Sequence, residues 1–179
     1  LGFATIAGGI ASTLAQRDGV MDSQARESGG DVLRQFSSQL KLVEFQDYWR
    51  TLDLTRFQTL RRAFEEAIRD DPHFAAGYAC LSHLYSDAAR YGIDCGPQHP
   101  RPLDHALQLA NEAVRLAPNS GRAHGARGVA EWFLGQSEKS LETLRLAHAL
   151  NPNDPELMAE LGFRSAMRMQ WDIAVPLLL

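Results

Sequence analysis

Cys95, His99 and His105, flanked by Asp94 and Asp104, are the densest set of metal-competent side chains in the sequence. A Cys-x3-His pair with a second histidine six residues on could supply three positions of a tetrahedral zinc site. No fourth ligand is spaced to complete it, so these residues read as polar positions of a loop. Serine, histidine and aspartate are all present for nucleophilic catalysis, but no glycine-framed elbow presents a serine. Gly8-Gly9 and Gly29-Gly30 lack the residues that would make a phosphate-binding loop around them. Neither a cofactor nor a metal is implied, and the sequence reads as non-enzymatic over this stretch. The remaining chemistry is recognition. Trp132 and Phe133, with Arg122 one element-length earlier, combine residue types that dominate binding hot spots. The alternative for Trp132 is burial against a neighbouring element.

The elements that would position these groups are helices. Core stripes at helical spacing, N-cap candidates and proline or glycine stops predict helices near 43–52, 56–70, 74–90, 103–116, 121–134, 137–150, 155–168 and 171–179. Pro118 and Pro152 each follow an alanine by five positions and lie one tetratricopeptide period apart, about 34 residues. Pro72 has the same setting, but it precedes Pro118 by one period plus twelve positions. The extra twelve fall within Asp87–Leu103, where Gly92, Gly96, Pro97, Pro100 and Pro102 demand a loop, expected at the tip of a helical hairpin. Tyr78, Leu81, Ser82 and Tyr85 have the spacing of the first helix of a tetratricopeptide unit. Gly128 and Gly162 repeat the small position of Ser82, while Ala106, Ser140 and Ala174 repeat a small position in the second helices. Small residues at both places let paired helices approach closely. The expectation is an all-α, tetratricopeptide-like right-handed solenoid of antiparallel helix pairs over 41–179, with a helical extension over 1–40.

Residues 1–15 carry no charge, but the run is shorter than the ~20 residues of a spanning helix. Phe3, Ile6, Ile10 and Leu14 recur at helical spacing, so a packed amphipathic helix near 2–16 is expected. Ser28-Gly29-Gly30-Asp31 and Ser37-Ser38 read as breaks between short helices. The 179-residue chain carries a net charge of −4. That offers no electrostatic case for nucleic acid or an anionic membrane. Two cysteines cannot frame a disulfide scaffold, which favours a reducing, cytoplasmic setting. With no initial methionine and an end inside an apolar run, the sequence reads as a piece of a longer protein.

The stretch Glu66-Ala67-Ile68-Arg69-Asp70-Asp71-Pro72-His73-Phe74-Ala75-Ala76-Gly77-Tyr78-Ala79-Cys80-Leu81-Ser82 resembles the helical-repeat region of bacterial adenylate/guanylate cyclase-type proteins. Winged-helix transcriptional regulators with tetratricopeptide tails share that module. Ile6 to Ala11 through Gly19-Val20-Met21 looks like the exit of the TolB-like domain that often precedes such repeats. No cyclase motif lies in this sequence, so any cyclase activity that the resemblance implies would belong to other residues of a full-length protein.

In a solenoid of this kind the first helices line the inner face. The inward positions are expected to be His83, Ser86, Arg122, Gly125, Val129, Trp132, Phe133, Glu156, Ala159 and Phe163. Of these His83, Arg122, Val129, Trp132, Phe133, Glu156 and Phe163 are the candidate contacts for a protein or peptide partner. Self-association as a homodimer and small-ligand sensing are the alternatives.

Overall fold

The computed structural model describes residues 29–179, in which every regular element is a helix. They are α1 (Gly29–Thr51), α2 (Phe57–Asp70), α3 (Ala75–Tyr91), α4 (Pro102–Leu116), α5 (Gly121–Phe133), α6 (Ser137–Leu150), α7 (Pro155–Met167) and α8 (Trp171–Leu178). A short 3-10 turn, Leu54–Arg56, joins α1 to α2. Consecutive helices pair as α1–α2, α3–α4, α5–α6 and α7–α8, and each pair packs on the next. The helix expected near 2–16 lies outside the described residues.

Local chemistry explains the boundaries. Ser120 caps α5 by accepting from the Ala123 amide, and Asp154 caps α7 by accepting from the Glu156 amide. Pro102 and Pro155 stand in the first turns of α4 and α7, where a missing amide hydrogen costs nothing. Gly92 ends α3 at φ 66°, and Gly135 turns the chain between α5 and α6 at φ 79°. Glycine adopts this left-handed cap without a steric penalty. Met169, one period beyond Gly135, makes the equivalent turn at φ 58°. It does so without glycine's freedom.

The start of the solenoid differs from the sequence expectation. α1 runs unbroken from Gly29 through Ser37-Ser38 to Thr51, so a boundary at residue 40 falls inside one helix. Serine costs a helix only about half a kcal/mol relative to alanine. Against that, Leu42, Phe45 and Tyr48 are buried one turn further on. Packing outweighs propensity. α1 is also a regular first helix by register: one period before Ala76, Ala79, Ser82 and His83 stand Leu42, Phe45, Tyr48 and Trp49. Tyr48 takes the place of the small residue. It is fully buried, and its hydroxyl donates to Asp87 Oδ2 at 3.1 Å.

The core changes character along the solenoid. Between α1 and α4 it is rich in large side chains, including Phe45, Phe57, Phe64, Leu81, Leu84 and Tyr85. Where α3 and α4 meet α5 it narrows to alanines, at 79, 110, 113, 123 and 126. Further on it becomes a leucine cluster of Leu141, Leu144 and Leu161. The small positions Ser82, Ala106, Gly128, Ser140, Gly162 and Ala174 are all buried. A Cβ on Gly128 would lie 2.7 Å from Leu144 Cγ, and Ser140 Oγ donates to the Gly128 carbonyl at 2.7 Å.

The insertion between α3 and α4 is more than a tip loop. It folds back on the first two hairpins, with Ile93 and Cys95 packed into the large-residue core. Gln58 Nε2 on α2 donates to the Asp94 carbonyl at 3.0 Å. The reason lies in its apolar residues, which gain burial that a solvated loop would forgo. Among the described residues no helix is long and apolar enough to cross a membrane.

Candidate functional site

One cleft crosses the first helices of all four hairpins. α1 contributes Leu42, Phe45 and Trp49, and α3 contributes Ala75, Ala76, Ala79, Cys80 and His83. Arg122 and Gly125 come from α5, while Glu156, Leu157 and Glu160 come from α7 with its cap residue Asp154. The repeat explains the convergence. Leu42, Ala76, Arg122 and Glu156 occupy one register position, and Phe45, Ala79 and Gly125 another. Gly125 is glycine because a Cβ there would meet Leu157 Cδ2 at 2.6 Å.

Small and aromatic residues form the floor, and charged residues form the rim. Arg122 Nε lies 3.4 Å from Asp154 Oδ2 and its Nη2 3.2 Å from Glu156 Oε2, tying α5 to α7. Asp154 is buried, so this pair is sheltered from solvent screening. His83 stacks edge-on against Trp49 at 4.5 Å, and its Nδ1 is buried without a hydrogen-bond partner. Burial pushes the His83 pKa down to about 3, with the charges of Arg164 and Arg122 adding to the effect. The ring is therefore neutral near pH 7.

The inner positions expected from the sequence divide in the structure. His83, Arg122 and Glu156 are brought together in the cleft, with Gly125. Trp132 and Phe133 are half-buried and do not line it. They flank the buried Arg164, whose guanidinium carbon lies 5.6 Å from the Trp132 ring and 5.8 Å from the Phe133 ring. Burial lowers the Arg164 pKa to about 10, with a contribution from Arg90, and Glu160 pairs with it one turn earlier. Arg122 belongs to a different group from this aromatic pair, since it engages Asp154 and Glu156.

Val129 and Ser86 are buried, at 3% and 1% exposure, so neither offers a surface. The register is inward at these positions, but neighbouring helices cover them. Phe163 and Ala159 are exposed outside the cleft. Phe45, Trp49 and Glu160 were not singled out in the sequence. The signal for Phe45 and Trp49 was the same repeat interval, which extends back to α1.

Around the insertion the histidines stack on one another. Among the described residues no three histidine, cysteine, aspartate or glutamate side chains could hold a metal ion. His99 and His105 lie 4.4 Å apart, and both contact the Tyr85 ring, at 4.9 and 4.5 Å. The Tyr85 hydroxyl donates to Glu65 at 2.7 Å, and Arg61 pairs with the same carboxylate at 2.6 Å. Burial, then His99, lowers the His105 pKa. Cys95 and Cys80 are not joined in a disulfide.

No protein-family model matches the chain, and no curated protein does. Solved structures do resemble it. TTC0263, a tetratricopeptide protein of Thermus thermophilus, aligns with TM-score 0.62 and 22% identity, over 80% of this chain and 70% of that one. A mutant O-GlcNAc transferase of Thermobaculum terrenum aligns with TM-score 0.55 and 20% identity, over 74% of this chain and 22% of that one. The first tetratricopeptide domain of Spaghetti (RPAP3), bound to an HSP90 peptide, aligns with TM-score 0.52 and 17% identity, over 74% of this chain and 94% of that one. Likeness at this identity establishes the architecture: residues 29–179 form an all-α, tetratricopeptide-like solenoid of antiparallel helix pairs.

Proposed function

We propose that this chain is a protein-interaction module that holds a peptide segment of a partner in the cleft on its first helices. The observation that carries this reading is the cleft's composition. Four helices supply an apolar floor of alanine, glycine and aromatic rings, bordered by an oriented Arg122–Asp154–Glu156 group and Glu160. Apolar area with a few placed polar groups is the usual make-up of a recognition site. The neutral His83 adds a ring nitrogen without a partner inside the fold. Paired rim charges favour a partner that meets both signs, and they would fix its register more than its affinity. The HSP90 peptide on the similar Spaghetti domain is consistent with such use of this architecture. In the wider reading, the module is the regulatory region of a larger bacterial cyclase-type or transcription-control protein in the cytoplasm.

The test is selection of binders from a displayed random-peptide library, followed by affinity measurement on variants that keep the helical circular-dichroism signal. Ala75→Trp places an indole in the cleft and is expected to abolish binding. Arg122→Ala should cost about 2 kcal/mol if its guanidinium anchors the peptide, since central anchors typically cost that much or more. Trp171→Ala, outside the cleft, should leave affinity unchanged. Peptides that bind Ala75→Trp as tightly as the parent chain would rule out the cleft.

A further inference from the structure

The cleft is narrow, and its polar groups are unevenly matched. Its cavity is about 40 Å³, far below the roughly 300–1,000 Å³ of a small-molecule pocket. That is room for the end of one inserted side chain. Leu42, Phe45, Ala76, Ala79 and Leu157 give it an apolar floor, which suits an apolar stem.

The charges do not balance. Among the described residues that line the cleft, Asp154, Glu156 and Glu160 face one guanidinium, that of Arg122. Arg164 pairs with Glu160 from outside the lining, so two guanidiniums meet three carboxylates and one negative charge is left over. Arg90 stacks on Tyr91 and does not line the cleft. The Glu156 and Glu160 side chains are only 25% and 18% exposed, which limits their screening by salt. Arg164 occupies Glu160 Oε2, whereas Glu160 Oε1 has no hydrogen-bond partner among the described residues. His83 is the second unfilled group, with Nδ1 buried and unpartnered on a neutral ring. A carboxylate oxygen and a neutral imidazole can each take a donated hydrogen bond, so the ligand that fits brings donors. Trp49 lines the same cleft, and an indole is the best aromatic partner for a cation.

Building on the peptide-binding reading of this cleft, we propose that the side chain it takes is cationic. The occupant is an arginine or lysine of the partner segment, with its aliphatic stem on the apolar floor and its head at Glu160. Such side chains lay an apolar stem along a surface and carry only donors at the tip. One positive charge also matches the one negative charge that the internal pairs leave over.

The probes are three synthetic peptide pools of apolar and small residues, alike except for a central position fixed as arginine, leucine or glutamate. Fluorescence anisotropy at low and high salt measures their binding to the 179-residue chain. At low salt the arginine pool is expected to bind about tenfold more tightly than the leucine pool, the scale of one charge-assisted hydrogen bond. The margin should shrink as salt rises. Glu160→Gln should remove most of it. Circular dichroism checks folding; should loss of the Arg164 partner unfold the chain, Glu156→Gln gives the same readout, because Arg122 keeps Asp154. No advantage of the arginine pool over the leucine pool, or a preference for the glutamate pool, overturns the proposal and leaves the cleft a peptide site. An arginine margin that survives in the folded variant overturns it too, since the cation would then sit elsewhere. Binding by none of the pools overturns it together with the peptide-binding reading.

Discussion

At the scale of single residues, two positions set against their surroundings yield measurable consequences. Asp87 is buried, and burial pushes its pKa up to about 6 from 3.8, opposed by the Tyr48 hydrogen bond and the charge of Arg90. Between those two values the folded protein holds a proton that the unfolded chain releases. Its contribution to stability therefore falls as pH rises through that window and stays low above it. Asp87→Asn keeps a carbonyl acceptor for the Tyr48 hydroxyl and removes the titration. Urea denaturation of both proteins should show the variant gaining on the parent from pH 3.8 to pH 6, then a constant gap, at most about 3 kcal/mol. A gap independent of pH would show that Asp87 does not titrate there. The second position is Met169, which makes at φ 58° the turn that Gly135 makes one period earlier. A left-handed conformation costs a residue with a Cβ roughly 1–2 kcal/mol, and glycine's extra freedom in the unfolded chain returns roughly half of that. Met169→Gly should accordingly stabilise the protein by about 0.5–1 kcal/mol, read as a small rise in Tm.

At the scale of elements, the close approach of paired helices rests on small residues whose neighbours differ in freedom. A Cβ on Gly128 meets the fully buried Leu144 at 2.7 Å, while a Cβ on Gly162 meets Leu178 at 2.8 Å. Leu144 is held on all sides, whereas Leu178 is half-exposed and can rotate away. Gly128→Ala should therefore cost about 1–3 kcal/mol, the usual range for overpacking, and Gly162→Ala clearly less. Equal losses in thermal unfolding would show that the two crossings are equally rigid. These small positions were legible in the sequence because close helix packing leaves a periodic mark. The later helices were legible for a related reason, since prolines and capping residues punctuate each one. The course of α1 was not, because Ser37-Ser38 weakens a helix only slightly and tertiary burial of Phe45 and Tyr48 decides the outcome. The insertion was expected only at the hairpin tip because no local signal shows that Ile93 and Cys95 will find apolar company on another hairpin. In the cleft, register pointed to His83, Arg122 and Glu156. It could not show that Val129 would be covered, or that Trp132 and Phe133 would be taken up by Arg164, since both depend on how neighbouring helices close over an inward position.

At the scale of the whole molecule, the first helices of the four hairpins share one cleft. Arg122 and Arg164 are both committed to carboxylates within the fold. Under the peptide-binding proposal, selectivity would come from shape along the cleft and from exchange of those internal pairs. Because the main contacts of each described hairpin are with its neighbours, stability is close to a sum of local terms. The insertion breaks that uniformity. By docking on α2 from within the α3–α4 hairpin, and with the Tyr48–Asp87 bond beside it, it fastens the first two hairpins to each other. Under a pulling force along the chain, the molecule would behave as a compliant rod with one reinforced end. The leucine-lined final hairpins would peel away in separate small steps, and the first two would resist longer and let go together.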